Sequence, residues 1–336
     1  VKNIDNPPVE YKHFSLEIGG NKQEINMLEI DLSDGRAELL PVLSRNSVFG
    51  FENLSSIATR NSAYAAVNAG FFYEFGQPSG MVVIDEKLVR NSTGEFPVLI
   101  IDDKKASLQE LNTNLWIKYG EKRIKVDNIN NVGRPGEVLV YTREYGPNNR
   151  LETKNITVTV KENRVVKIGQ YQGKTDIPKD GFVVTFFEPV EFDINNFPIN
   201  QGESINFIYQ AGVDGITNAY ECGSWLVKDG EVVIKQRDKW VGVMTNYDPR
   251  TAVGITYDGK LTLVTVDGRQ PGHSVGMTGK QLGEWLAGME VRDAAMLDGG
   301  ASTEMIVNGE IVNIPSARGK ERLLGGGLVV KLKDIN

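Results

Sequence analysis

The residues best suited to chemistry follow a short apolar strand near the C-terminus of the chain. An apolar run, an acid, two glycines and two hydroxyl residues come in order: residues 294–297, Asp298, Gly299, Gly300, Ser302 and Thr303. This order places a carboxylate at the open end of a buried strand, and the glycines let a ligand approach the backbone closely. Because Gly-rich turns after buried strands commonly bind ligands, the segment predicts a functional site around Asp298.

A predicted hairpin brings basic and acidic residues to a second position. The alternating segments 251–257 and 261–266 are joined by an Asp-Gly pair that is typical of a hairpin turn. Antiparallel pairing sets the start of one strand beside the end of the next, so Arg250 and Asp267 are expected to be neighbours. The sequence therefore predicts a charged rim at this end of the hairpin.

Two arginines belong to that rim, and two interpretations of them are open. The guanidinium groups of Arg250 and Arg269 suit bidentate binding of a phosphate or carboxylate. Alternatively, both pair with Asp248 and Asp267 as structural ion pairs. His273, after a Pro-Gly pair, is either a ligand contact or a solvated loop residue.

Asp298 and Asp267 together suggest the acid and base work of a glycosidase. In such enzymes one carboxyl group protonates the leaving oxygen, and the other acts as nucleophile or activates water. A second helix, strand and polar residue module ends at Asn68, in the order seen before Asp298. We therefore expect Asn68 and Asp298 to converge on one cleft.

The elements that must position these residues are mostly strands. Ten alternating segments are predicted as strands: residues 14–18, 24–32, 81–84, 137–141, 156–160, 182–187, 251–257, 261–266, 305–312 and 327–332. One helix is predicted from the capping box at Thr278, with its apolar face on the sheet that carries Asp298, and a shorter helix near Asn53. The expected fold is α+β, a strand-rich mixed sheet with a few helices packed on it. Residues 1–94 and 199–336 would form the core, and residues 95–198 a β-rich insertion.

Composition excludes several classes of function. The 336 residues are 40% hydrophobic, which is ample for a core, and the net charge of −7 argues against a nucleic-acid partner. Two histidines make a His-rich metal site improbable, and the single cysteine, Cys222, is predicted to be a packed thiol. No apolar run is long enough to span a membrane. The polar start at Val1 suggests a processed N-terminus, hence a secreted or cell-surface protein from which a signal or anchor has been removed.

Several segments, in this order, resemble the phosphodiester glycosidase family. They are residues 68–72, 249–254, 264–269, 276–278, 297–303, 307–309 and 314–316. The resemblance implies hydrolysis of a sugar joined through its anomeric carbon to a phosphodiester, of the N-acetylglucosamine type or in a cell-envelope polysaccharide. It also implies a site lined by Asn68, Arg250, Asp267, Arg269, Asp298, Gly299, Gly300, Ser302 and Thr303. Asp298 is the expected central catalytic carboxylate, with Asp267 as its partner.

Two other functions remain open at this point. A carbohydrate-binding or cell-envelope module with the same fold would bind the ligand without cleaving it. A metal-dependent phosphodiesterase would use Asp267, Asp298 and Glu304 as ligands and lose activity in chelator. The glycosidase interpretation requires no cofactor and admits only a structural Ca²⁺.

Overall fold

The computed structural model describes residues 7–189 and 194–333, which fold into six β-sheets and two short α-helices. The helices are α1 (Leu54–Arg60) and α2 (Gly279–Gly288). The strands are β1 (Val9–Ile18), β2 (Asn21–Ile30), β3 (Ala37–Leu43), β4 (Ala65–Asn68), β5 (Val82–Ile84), β6 (Lys87–Arg90), β7 (Pro97–Ile101), β8 (Ala106–Glu110), β9 (Asn114–Tyr119), β10 (Lys122–Val126), β11 (Asn128–Ile129), β12 (Val138–Tyr141), β13 (Lys154–Lys161), β14 (Arg164–Gln172), β15 (Gly181–Phe187), β16 (Ile205–Gln210), β17 (Asn218–Glu221), β18 (Trp225–Lys228), β19 (Glu231–Val232), β20 (Arg237–Asp238), β21 (Gly242–Val243), β22 (Arg250–Thr256), β23 (Leu261–Val266), β24 (Val291–Met296), β25 (Met305–Val307), β26 (Glu310–Ile311) and β27 (Gly326–Leu332). The expected α+β, strand-rich class is confirmed, and all ten predicted strand segments contain strands.

The largest sheet has seven strands in the order β1-β2-β23-β22-β24-β18-β19. Its centre, β22, pairs antiparallel with β23 and with β24. Every residue of β22 and β23 is buried, because both faces of the sheet are covered. The start of β22 therefore lies between the ends of β23 and β24, which are the two strands that lead to Asp267 and Asp298.

A five-stranded sheet, β26-β25-β4-β27-β3, packs against the first. One hydrophobic cluster joins Val253 and Leu263 of the seven-stranded sheet to Val67, Leu328 and Val330 of this one. Fully burying side chains of this size stabilises the fold by about 1.5–3 kcal/mol each, as an upper estimate. The packing sets the end of β4, at Asn68, beside the start of β22 and the end of β24.

Helix α2 starts where its sequence predicts. Thr278 Oγ1 accepts a hydrogen bond from Gln281 N, and Gln281 Oε1 accepts one from Thr278 N, which completes the capping box. Leu282 and Leu286 are fully buried, and the helix packs on β18 and β24 as expected. The helix ends at Gly288, and Glu290 then turns the chain with a φ of 60°. The packed helix thereby supports the strand that leads to Asp298.

The strands between β9 and β16 form sheets of their own. They build the sheets β10-β9-β16 and β11-β12-β15-β13-β14, over a separate hydrophobic cluster that includes Val158 and Phe186. Strands β7 and β8 instead join β5, β6 and β17 in one sheet. In the part of the chain that the structure describes, the strands from Asn114 to Gln210 thus pair only with one another, and the expected division at residues 95 and 198 stays a prediction.

Within the described ranges, neither α-helix nor any 3-10 turn has the length and apolarity to cross a membrane. Cys222 is fully buried, and burial raises the pKa of its thiol, which agrees with a packed cysteine.

Candidate functional site

Asp298 lies two residues past the end of β24, at the start of a turn that includes a 3-10 helix over Gly300–Ser302. Burial of the carboxyl group raises its pKa to about 6, and a hydrogen bond from Ser302, the charge of Arg322 and the Gly299 N–H partly oppose that rise. A carboxyl group that changes protonation near neutral pH is suited to acid, base or nucleophilic chemistry. The strongest sequence prediction thus falls on a group with perturbed acidity.

Asn68 holds Asp298 in place through the backbone. Its Nδ2 donates to Asp298 O at 2.6 Å and to Ala69 O at 3.2 Å, and its Oδ1 accepts from Thr251 Oγ1 at 2.8 Å and from Glu304 N at 3.2 Å. The amide has two donors and two acceptor positions, so these bonds use all of them. Asn68 and Asp298 therefore lie side by side, as expected, and a cleft shared by them stays a prediction. The contacts give Asn68 a positioning role, and direct substrate binding by Asn68 stays a prediction.

The two arginines of the predicted rim differ in exposure. Arg250 is buried and donates from Nε to Met277 O at 2.9 Å and from Nη2 to Asn246 O at 2.8 Å, and burial lowers its pKa. Arg269 keeps 51% of its side chain exposed while its Nη2 lies 2.9 Å from Asp248 Oδ1. Arg269 is thus the arginine of this pair that a ligand can reach.

The hairpin prediction is confirmed, since Arg250 pairs with Val266, next to Asp267. Both arginines form ion pairs with Asp248, at 3.8 Å for Arg250 and 2.9 Å for Arg269. The structural ion-pair interpretation therefore holds for Asp248. In the described parts of the chain, Asp267 forms its short contacts with other partners.

Gly300 allows the guanidinium of Arg269 to lie over the turn that follows Asp298. Gly300 has a φ of 61°, and a Cβ there would lie 3.3 Å from Arg269 Nη2. At Gly299, a Cβ would lie 2.9 Å from Pro249 O, so both glycines are needed for close approach. The result is a positive side chain beside the catalytic candidate.

Asp267 is buried, and its carboxylate is fully engaged. Its Oδ2 accepts from Ile314 N at 3.0 Å and lies 2.8 Å from His273 Nε2, and its Oδ1 accepts from Asn313 Nδ2 at 3.1 Å. Asn313 also donates to Thr303 O at 3.0 Å, which connects Asp267 to the Asp298 turn. His273, with 32% of its side chain exposed, is the member of the pair that reaches solvent.

The strand order fixes how far apart the two aspartates lie. They follow β23 and β24, which flank β22, so their backbones are separated by about two strand spacings, or about 10 Å. The assignment of Asp267 as the second catalytic carboxylate stays a prediction. Its contacts suggest that it acts by orienting His273.

The structure adds Arg322, which sequence reasoning missed. Arg322 is exposed, donates from Nη1 to Ser302 Oγ at 3.1 Å, and lies with its Cζ 5.5 Å from the centroid of the Phe72 ring. Its charge acts on Asp298. No periodicity or turn pattern marks this residue, because its contacts come from chain segments far away in sequence.

Glu304, which the sequence suggested only as a ligand in the metal-dependent alternative, is buried beside Arg322. It is 1% exposed, its Oε1 accepts from Arg322 N at 2.6 Å, and its Oε2 has no hydrogen-bond partner among the described residues. Burial raises its pKa to about 8. The sequence feature that marks Glu304 as unusual is an acidic residue directly before the buried strand β25 and directly after Thr303.

We expect Glu304 to make the stability of the protein depend on pH. Its folded-state pKa is about 8, well above the unfolded value of about 4.3, so the folded state binds the proton more tightly. The stability is full at low pH and falls as pH rises between these values, by up to about 4 kcal/mol at about pH 8. Urea unfolding of the wild type and Glu304→Gln at about pH 5 and about pH 8 should show a smaller loss in the variant.

The exposed Glu310 provides the matched control for this experiment. Glu310→Gln should keep the wild-type dependence of unfolding free energy on pH. Equal pH dependence in Glu304→Gln and the wild type would contradict the assignment of the titration to Glu304.

The metal-dependent alternative requires a cluster of side chains that can act as metal ligands. Over the described residues, no three His, Cys, Asp or Glu side chains are arranged to hold a metal ion. Asp267, Asp298 and Glu304 therefore do not converge in the way that this alternative requires.

Comparison with known proteins supports the family expected from the sequence. The family model for phosphodiester glycosidases matches residues 154–331. The SPbeta prophage-derived uncharacterized protein YomE of Bacillus subtilis is 33% identical over 120 residues, covering 36% of this chain and 18% of that protein. The mouse N-acetylglucosamine-1-phosphodiester alpha-N-acetylglucosaminidase is 29% identical over 106 residues, covering 27% of this chain and 20% of that protein. The matched regions thus span about a fifth of these relatives.

Solved structures show the same fold. A hypothetical protein from Synechocystis matches with a TM-score of 0.81 at 18% identity, covering 98% of this chain and 64% of that one. The catalytic domain of the zebrafish N-acetylglucosamine-1-phosphodiester alpha-N-acetylglucosaminidase, auto-inhibited by its pro-peptide, matches with a TM-score of 0.52 at 19% identity, covering 99% and 86%.

The site thus combines a strand-rich α+β fold, a carboxyl group of raised pKa and an arginine that solvent can reach. The family match covers more than half of the chain, and the chain belongs to the phosphodiester glycosidase family.

Proposed function

We propose that the chain hydrolyses a glycosyl-1-phosphodiester and releases the sugar. Water adds to the anomeric carbon, the bond from that carbon to the phosphate oxygen breaks, and the phosphomonoester leaves with the electron pair. The observation that carries the proposal is the half-buried Asp298 carboxyl, with its pKa raised to about 6, on a turn where exposed Arg269 lies against Gly300 and exposed Arg322 bonds to Ser302. The substrate is of the N-acetylglucosamine type or a cell-envelope polysaccharide phosphodiester, and a secreted or cell-surface location is part of the proposal.

The charges of the side chains suggest which of them bind the phosphodiester and which act at the anomeric carbon. Arg269 and Arg322 offer two guanidinium groups to the phosphodiester, which is an arrangement suited to a developing phosphate charge. The departing phosphomonoester has a second pKa of about 6, so its oxygen needs little help from an acid. The greater need is for negative charge or a base at the anomeric carbon, and ionised Asp298 meets it. His273, oriented by Asp267, is a candidate to carry a proton to or from water.

Proton NMR of the purified protein with UDP-N-acetylglucosamine tests the proposal. Free N-acetylglucosamine formed by the wild type, and not by Asp298→Asn, would support it, and the first anomer seen would identify retention or inversion. Shifted ligand signals without cleavage would favour the non-catalytic binding module instead. A parallel sample with EDTA tests metal dependence, including a structural Ca²⁺, because the proposal needs no metal for the chemical step.

Gly300→Ala should weaken substrate binding in a way that a general loss of stability does not explain. Its φ of 61° makes alanine strained, and the new methyl group would press on Arg269. We expect a loss of about 1–2 kcal/mol in the free energy of unfolding, together with a rise of about 5–10-fold in KM. Unfolding curves and steady-state kinetics measure the two effects.

Gly309 supplies the matched control. It has a φ of 82° and open space around its Cα, so Gly309→Ala has the same backbone strain and touches no site residue. We expect a similar loss of stability with unchanged KM. Equal KM values for the two variants would show that the contact between residue 300 and Arg269 is irrelevant to binding.

A further inference from the structure

A cavity of about 350 Å³ lies between the start of β7, strand β18 and the segment that follows β19. Its walls include Phe96, Pro97, Trp225, Lys228, Ile234 and Lys235. This volume falls in the range of cavities that hold small ligands. None of these residues takes part in the proposed reaction, so the cavity has no role yet.

The cavity is connected to Asp298 by strand pairing. Ser224, which also lines the cavity, accepts a hydrogen bond through its carbonyl oxygen from Met296 N at 2.9 Å. Asp298 follows Met296 by two residues, a distance of about 7 Å along an extended chain. A group attached to the reacting phosphate thus needs to span only a short distance to reach the cavity.

Aromatic side chains line that path. Phe71, three residues after Asn68, lies 5.7 Å from Trp240, and Trp240 stacks on Phe96 at 4.3 Å between ring centroids. Lys239 lies 5.6 Å from the Trp240 centroid, so an ammonium group borders this aromatic wall. The wall leads from the Asn68 and Asp298 strand ends to the cavity.

Trp225 is held in a fixed orientation inside the cavity. Its Nε1 donates to Glu110 Oε1 at 2.8 Å, and Lys228 Nζ donates to the same oxygen at 3.2 Å while lying 5.0 Å from the Trp225 ring centroid. These contacts lower the pKa of Glu110, with the hydrogen bond from Trp225 as the main cause. An oriented aromatic ring with a carboxylate and an ammonium at its edge offers an apolar face and polar groups together, as the faces and hydroxyl groups of a sugar require.

We propose that this cavity is a subsite for a saccharide unit beyond the cleaved phosphodiester, so that the preferred substrate is an oligomer or polymer of sugar phosphates. The inference rests on the proposed function and adds to it the length of the substrate. The sugar ring packs on Trp225, and its hydroxyl groups meet Lys228, while Glu110 holds both side chains in place. The aromatic wall of Phe71, Trp240 and Phe96 accommodates the connecting unit.

Kinetics with two substrates of matched chemistry test the subsite. The short substrate is the methyl phosphodiester of N-acetylglucosamine 1-phosphate, and the long one is a trimer of N-acetylglucosamine 1-phosphate units joined by phosphodiesters. The wild type should show a lower KM for the trimer. Trp225→Ala should raise KM for the trimer about 10-fold, with a much smaller change for the methyl diester, because only the trimer reaches the cavity.

Two further variants separate this effect from misfolding. Trp225→Phe keeps an aromatic face and should restore most of the trimer preference. Trp116→Ala removes a tryptophan from the separate sheet of β9, β10 and β16 and should leave both KM values unchanged. Cleavage of both substrates with equal KM, or an equal change in both on Trp225→Ala, would overturn the subsite alone. Cleavage of neither substrate by the wild type would overturn the proposed function and the subsite with it.

Discussion

Replacing Asp298 by asparagine is expected to lower kcat for sugar release by about 1000-fold or more, within the range typical of lost acid, base or nucleophilic groups. Asparagine keeps the shape of the side chain and its contact with Ser302, but it cannot ionise. Initial rates of N-acetylglucosamine release measure the effect. The exposed turn residue Asp229 is the matched control, since Asp229→Asn makes the same chemical change away from the site.

The pH profile of the wild type should identify the reactive form of Asp298. If the ionised carboxylate acts at the anomeric carbon, kcat/KM rises with pH through the Asp298 pKa of about 6. A profile that falls through the same pH would instead assign Asp298 as the proton donor. Loss of activity in Asp229→Asn equal to that in Asp298→Asn would remove the special role of Asp298.

Stability separates a catalytic defect from an unfolded protein. Burial raises the pKa of Asp298, so the ionised side chain costs the folded state free energy above its unfolded value of about 4. Asparagine has no charge to bury. Asp298→Asn should thus be at least as stable as the wild type at about pH 8, and an inactive variant of lower stability would contradict this assignment.

Local patterns in the sequence predicted the elements that carry the site. The hairpin of β22 and β23 is defined by alternation and by its Asp-Gly turn, and the capping box at Thr278 defines the start of α2. These signals depend on neighbouring residues only. They were therefore enough to place Arg250 beside Asp267 and Asp298 at a strand end.

Whether a site side chain is already hydrogen-bonded within the protein depends on contacts that no local sequence pattern encodes. Asp267 accepts hydrogen bonds from Asn313 and Ile314, which lie 46 and 47 residues away in sequence. The hairpin pattern alone therefore could not show that its carboxylate is already bonded. Arg322 reaches Ser302 across 20 residues from a segment without periodicity. The sequence thus predicted which residues meet, but not which of them keep a free functional group.

The limits of the inserted part also depend on long-range contacts and not on local sequence patterns. Strand β7 pairs with β17 across more than one hundred residues, Asn218 opposite Ile101, which joins β7 and β8 to the core. Weak turn signals after residue 95 suggested a boundary there. Only long-range pairing shows that the separate sheets start at β9.

Asn68→Asp is expected to be the most destabilising single change at the site. The side chain is 1% exposed, and its Nδ2 donates to two carbonyl oxygens, those of Ala69 and Asp298. A carboxylate there would face both oxygens without a proton to share. We expect a loss of about 3–5 kcal/mol in the free energy of unfolding at about pH 8, as for other uncompensated buried charges.

The loss should shrink on acidification. The new carboxyl group would have a folded-state pKa above its unfolded value of about 3.9, so its penalty is absent at low pH and grows as pH rises. Urea unfolding at about pH 5 and about pH 8 measures this difference. Asn308→Asp, in an exposed Asn-Gly turn, makes the same change where water solvates the charge, and should stay within about 0.5 kcal/mol of the wild type. If the two variants are equally stable at both pH values, the bonds of Asn68 do not hold the strand ends of β4, β22 and β24 together.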